Sequence, residues 1–151
     1  MTLRDGEQTS KLAFSKADRV RVAQALDEMG VARIEPGMPV VSAENRQGIK
    51  EIVELGLNAE IVGFLRADKL DVDFAEECGL KSVIIEHCIN PYLIEQAYGL
   101  EKKDVIERCI EATNYAQEKG MKTIFMGWDL TRVDDMDLSL IHISEPTRLA
   151  T

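Results

Sequence analysis

The chain has 151 residues, 45% of them hydrophobic and 30% charged, enough to build the core of one ordinary globular domain. Its 27 acidic and 18 basic residues give a net charge of −9, which argues against a nucleic-acid surface, since phosphate binding needs clustered Lys and Arg. No apolar run of about 18 residues occurs and the N-terminus lacks a basic-then-apolar leader, so the expectation is a cytoplasmic protein with no membrane partner.

Taken in order, the chain repeats one helix-to-strand unit. Ser15, with Asp18 three residues on, is a capping-box-like start, and Val20, Ala23, Leu26 and Met29 keep a helical period up to Gly30. A short strand follows at Val31–Ile34. Ser42 opens a second helix with Ile49, Ile52, Val53 and Leu55 on one stripe, ended by Gly56 before a strand at Ala59–Phe64. Asp71–Cys78 is a third helix, and Ser82–Ile85 a strongly β-branched strand. Asp104–Lys119 is a long helix, followed by a strand at Thr123–Met126. The helices end in Glu28-Met29-Gly30, Glu54-Leu55-Gly56, Glu77-Cys78-Gly79 and Glu118-Lys119-Gly120, a repeat with glycine separations of 26, 23 and 41 residues. Glycine supplies the left-handed conformation that stops a helix.

Strands apolar on both faces, alternating with helices, imply a parallel sheet joined by right-handed crossovers. Two closures satisfy that pattern, an open doubly wound sheet and a (β/α)8 barrel. The strand exits carry, in succession, Arg4 and Asp5, then Glu35, then Arg66 and Asp68, then Glu86, His87 and Asn90, then Asp129, Thr131 and Arg132. Charged residues from every strand end, converging on one face, are the pattern of a barrel active site. A doubly wound sheet concentrates them at one switch point, and no Gly-x-Gly-x-x-Gly follows any strand. Cys78, Cys88 and Cys109 are widely spaced and read as buried thiols, not as a disulfide or zinc framework.

Leu3-Arg4-Asp5-Gly6-Glu7-Gln8 places a cation, a carboxylate and a permissive glycine together, a set suited to holding a metal-bound oxyanion and also common in exposed turns. This stretch, with Gly30 through Ser42 (containing Glu35-Pro36-Gly37-Met38-Pro39) and Arg66-Ala67 ahead of Asp71-Val72-Asp73, resembles the pyruvate carboxyltransferase family. That family of metal-dependent TIM barrels includes isopropylmalate, homocitrate and citramalate synthases and hydroxymethylglutaryl-CoA lyase. The resemblance runs from Met1 to about Asp137 and implies acetyl-CoA condensing with a 2-oxo acid, assisted by a divalent metal (Mg, Mn or Zn), in a homodimer. By position, it implies Asp5 as metal ligand, Arg4 and Glu35 as catalytic residues, and Gln8, Arg66, His87, Asp129 and Thr131 as substrate contacts.

Several features depart from the family. Its other metal ligands form a His-x-His pair on a seventh strand, whereas this chain stops after its fifth and lacks most of the first. Trp128 stands where many synthases have a glutamate, and Ile89-Asn90 where many have a hydroxyl pair. Ser139 through Arg148 looks like translated sequencing-adaptor sequence. The expected organisation is therefore a truncated α/β TIM-barrel domain over 1–138, about five strands and four helices, with a non-native tail over 139–151. His142 is given no catalytic meaning. His87 reads equally as a core histidine, Trp128 as a plug, and Glu7, Asp68 and Asp134 through Asp137 as solvated surface. The helix face from Glu101 to Glu111 reads as exterior. Three functions follow: a condensing acyltransferase, a lyase or aldolase running the reverse chemistry, and an inert partial barrel. The first is favoured by the Gly37-Met38-Pro39 context after Glu35, with the isolated chain inactive.

Overall fold

The computed structural model describes residues 2–133. The expected non-native tail over 139–151, His142 and the acidic run from Asp134 lie outside the described residues.

Short polar side chains start the helices. Ser15 Oγ accepts the Asp18 amide at 3.2 Å ahead of α1 (Lys16–Glu28), and Ser42 Oγ accepts the Asn45 amide at 3.0 Å ahead of α2 (Ala43–Glu54). α3 (Lys69–Glu77) begins before the expected Asp71, because Asp68 accepts the Leu70 amide at 2.8 Å. Asp68 is thus a cap and not merely solvated surface. α5 (Lys102–Glu118) opens with a reciprocal box between Glu101 and Asp104. Between α3 and α5 lies α4 (Pro91–Tyr98), absent from the reading of the sequence. Asn90 caps it, Pro91 occupies its first turn and Gly99 ends it at φ +62°. The repeated glycines also do what the repeat implied: Gly30, Gly56, Gly79 and Gly120 have φ of +76°, +62°, +77° and +76°.

The strands are β1 (Arg33–Ile34), β2 (Glu60–Arg66), β3 (Ser82–Cys88) and β4 (Lys122–Trp128), all parallel and in the order β1-β2-β3-β4. Sequential order without a reversal is an arc of a barrel, not a doubly wound sheet. Among the described residues four strands form where about five were expected. Residues 2–5 are turn and Gly6–Gln8 a 3₁₀ turn, so the segment that would be the first strand makes no ladder. Leu3 still packs inward, 1% exposed, with Ala23, Ile34, Ile52 and Ala59.

Alternation along each strand separates two faces. Leu65, Val83 and Ile85 turn toward the helices and join Ile49, Val72, Ala75, Ala112 and Ala116 in the main core. Phe64, Ile84 and Ile124 stand in register on the opposite face, the concave one in a barrel. Continuing that face toward the strand ends gives Arg66, Glu86 and Met126, then Cys88 and Trp128.

Candidate active site

The chain's N-terminal segment and the end of β1 meet at the C-terminal rim of the sheet. Arg4 Nε donates to Glu35 Oε2 at 3.0 Å, and the guanidinium carbon lies 4.0 Å from the centre of the Phe64 ring. Both side chains are largely buried, 11% and 20% exposed. A cation with one edge on a carboxylate and its face on an aromatic ring keeps a fixed direction. Asp5 Oδ1 lies 3.5 Å from Arg4 NH1, with the Asp5 carboxylate half exposed. Gln8, itself exposed, lines a cavity of about 150 Å³ with Arg4, Glu7, Gly37 and Met38.

A second cavity of about 410 Å³ lies over the ends of β2, β3 and β4, lined in part by Arg66, Glu86, His87, Tyr98, Arg108 and Trp128. Arg66 is held by Asp71 on α3, whose carboxylate takes its Nε at 3.1 Å, its NH2 at 2.7 Å and its backbone amide at 3.0 Å. Glu86 stands in register with Arg66, and burial pushes its carboxyl above the usual carboxylate range, partly offset by the charge of Arg4. His87 alternates away from Glu86 toward the helices. Its Nδ1 lies 2.9 Å from the Cys88 carbonyl oxygen and its ring packs 5.5 Å from that of Tyr98. Asp129, in the left-handed conformation at φ +62°, accepts from Asn90 Nδ2 at 2.6 Å and pairs with Arg132 at 3.3 Å. Thr131 lies exposed in the following 3₁₀ turn and lines neither cavity.

Of the residues singled out in the sequence, the structure therefore brings Arg4, Asp5, Glu35 and Gln8 together, and Arg66 with His87 at the neighbouring cavity. Three residues of this rim were not picked out. Glu86 was noted only as a strand exit, Asp71 as a helix start and as part of the family motif but without a role, and Arg19 not at all. Arg19 is 4% exposed and ties Leu3, Glu7 and Pro36 together, so Glu7 is a partly buried partner and not simply solvated surface. An Arg within an otherwise apolar helix stripe was the one sequence signal for it.

Among the described residues, no three His, Cys, Asp or Glu side chains converge on a point where a metal ion could be held. Asp5 is a single donor, and the described residues do not by themselves fit a divalent cation. Also among them, no helix is long and apolar enough to cross a membrane. The three thiols are buried as expected, and desolvation raises Cys78 to about 11 and Cys109 to about 12.

A parallel arc in sequential order, with charged side chains gathered at the C-terminal rim, defines part of an α/β barrel. The chain belongs to the HMGL-like (pyruvate carboxyltransferase) family, whose model matches residues 1–144, into the tail set apart above. It is 37% identical over 142 residues to homocitrate synthase AksA of Methanocaldococcus jannaschii, covering 93% of this chain and 35% of that protein. It is 42% identical over 135 residues to (R)-citramalate synthase CimA of the same organism, covering 88% of this chain and 27% of that protein. The chain thus spans about a third or less of the length of these relatives. The crystal structure of the Bacillus subtilis HMG-CoA lyase superposes with a TM-score of 0.75 at 13% identity, over 95% of this chain and 51% of that one. At that identity the likeness speaks for the fold, which is the barrel arc.

Proposed function

We propose that this chain is the N-terminal part of the catalytic barrel of an acyltransferase that joins acetyl-CoA to a 2-oxo acid, in a homodimeric parent protein. The observation that carries the reading is the Arg4 guanidinium, buried at the rim and aimed by Glu35 and Phe64. Support comes from relatives whose names are synthases of homocitrate and citramalate.

The chemistry needs such a group. As the acetyl methyl gives up a proton and its carbon attacks the oxo carbon, the carbonyl oxygen takes on negative charge. N–H groups already pointed at that oxygen stabilise the charge without reorganising. Glu35 fixes Arg4 by occupying its Nε, which leaves NH2, and NH1 apart from its 3.5 Å approach to Asp5, for substrate. Gln8 borders the cavity beside Arg4 and is assigned to the bound oxo acid. Arg66, held by Asp71, with His87, Asp129 and Thr131 further along the rim, is assigned to the rest of the substrates. Asp5 is proposed as one metal ligand, its companions to come from outside the described residues, and no step is derived through the cation.

The contiguous reading frame, expressed whole, is expected to release free thiol from acetyl-CoA with at least one of pyruvate, 2-oxoisovalerate and 2-oxoglutarate. Silence with all three, alongside cleavage of a hydroxyacyl-CoA, would move the assignment to the lyase direction. The 151-residue chain alone, among whose described residues no cation site is complete, is expected to show no turnover; turnover by it would overturn the partial-barrel reading.

A further inference from the structure

We infer that Arg19 is the positioning residue that sets the geometry of Arg4 and Glu35, by bridging the backbone on the outer side of each. Arg19 lies one turn into α1, is 4% exposed, and contacts neither cavity's open side. Its NH1 donates to the Leu3 carbonyl at 3.3 Å and to the Pro36 carbonyl at 3.2 Å. Leu3 immediately precedes Arg4 and Pro36 immediately follows Glu35, so one nitrogen ties together the two segments that carry the pair. Among the described residues the Glu35 segment is otherwise tied further on, where Arg46 NH1 donates to the Pro39 carbonyl at 3.1 Å, and only Arg19 reaches both segments through their carbonyls. Residues 2–5 form no ladder, and β1 is two residues long and ends at Ile34, before Glu35.

The other nitrogen is equally committed. NH2 donates to Glu7 Oε1, which also accepts the Phe14 amide at 3.2 Å and so closes the loop between the Arg4 segment and α1. With its amide oxygen turned toward Arg19, Asn45 on α2 accepts from NH2 at 3.2 Å and donates to the Met38 carbonyl at 3.3 Å. A planar fork with several donors in fixed directions can hold all four acceptors at once, and an ammonium cannot. Gly37 fits this account. Its φ is +141°, and a Cβ there would lie 3.2 Å from Arg19 NH1 and 2.8 Å from the Asn45 side-chain amide. The importance of Arg19 to catalysis rests on the reading of Arg4 and Glu35 given above; its control of their geometry does not.

The test is made on the 151-residue chain and reads the Arg4 Nε–H resonance and its solvent exchange by ¹⁵N NMR, with no activity involved. In the parent chain the proton bonded to Glu35 is expected to give a resolved, slowly exchanging signal, and its absence there would also overturn the proposal. Arg19→Met is expected to lose that signal while the amide signals of β2, β3 and β4 remain. Arg19→Lys, which reaches one carbonyl but not both, is expected to keep it with exchange about tenfold faster, the loss of about one charge-assisted bond. Tyr115→Phe, which removes a 2.8 Å bond to Asp73 at the far α3–α5 contact, is expected to leave it unchanged. An unaltered Arg4 signal in Arg19→Met, or its equal loss in Tyr115→Phe, overturns the proposal. Should Arg19→Met not fold, Arg19→Lys decides alone, with unchanged exchange as the contrary result. Thiol release by the whole protein, measured separately, bears on the catalytic reading and not on this one.

Discussion

Asp71 is completely buried in the first turns of α3, and its carboxylate takes three bonds from a single residue, Arg66: the backbone amide, Nε and NH2. One carboxylate thereby both ends β2 and directs the cation at its tip toward the rim. Asp71→Ala leaves a buried amide and a guanidinium without their acceptor, and should cost about 2 kcal/mol, reduced from a fully buried pair because Arg66 is more than half exposed. Combined with Arg66→Met, the cost should fall short of the sum of the two single changes. Urea unfolding of the four-member cycle measures this, and strict additivity would show that the contact does not couple them.

The alkaline limb of stability should come from the core thiols. Burial raises Cys78 to about 11 and Cys109 to about 12, from an ordinary value of 9.0. A folded-state value above the unfolded one means that the native chain keeps protons which the unfolded chain has released. Stability is then whole below pH 9.0 and falls as pH rises toward those raised values. Cys109→Ala should flatten the decline in urea midpoint across this range, whereas a slope unchanged by Cys109→Ala would assign it to other groups.

Glu86 predicts a gain. Burial raises its carboxyl, no side chain among the described residues hydrogen-bonds it, and only the charge of Arg4 opposes the shift. Once ionised, it works against folding. Glu86→Gln should therefore raise the urea midpoint at neutral pH, and the gain should vanish below about pH 4, where the parent side chain is protonated as well. Such a cost is tolerated at functional rims, where stability and activity trade against each other. A midpoint lowered at neutral pH would mean that Glu86 has a partner which stabilises its charge.

What could be foreseen from the sequence follows the range of the interactions. Ser15, Ser42 and the four Glu-x-Gly exits act within one turn of chain, so their spacing gave away the helices and hence the parallel arc. α4 was equally local, with Asn90, Pro91 and Gly99 at start and end, but eight residues carry too few apolar positions to show a period. The Arg4–Glu35 pair was legible only through the family motif, because it joins positions 31 apart. Arg19 showed only as an Arg within an apolar stripe, and Glu7 not at all. An Arg in α1 and a Glu in an exposed-looking turn become partners only when the loop between them folds back, which no periodicity records.

Gly37 tests how tightly that loop is held. At φ +141°, with Asn45 and Arg19 atoms 2.8 and 3.2 Å from where a Cβ would stand, Gly37→Ala meets backbone strain and a crowded buried network together. The expected cost is about 2 kcal/mol in urea unfolding. Gly30→Ala, also at positive φ but with nothing within 4 Å of its Cβ, should cost less, since only the backbone term remains. Equal costs at the two positions would show that the Arg19 network yields freely.

In the whole enzyme, Arg4 should matter through the transition state more than through binding. Its Nε is fixed by Glu35 at 3.0 Å and its face by Phe64, so its terminal nitrogens meet the substrate oxygen without having to be ordered. Arg4→Met should lower kcat/KM by about 10²–10³, the loss seen on removing one preorganised donor to a developing oxyanion, with most of it in kcat. Arg4→Lys should recover little. An ammonium has the charge, but it cannot hold Glu35, lie flat on Phe64 and reach the oxygen at once. Glu35→Gln keeps an acceptor for Nε and loses only the charge, so its effect should be the smallest of the three. If Arg4→Met instead stayed within about tenfold of the parent, with KM carrying the change, Arg4 would be a docking group for the carboxylate and the charge on the carbonyl oxygen would be met by some other donor.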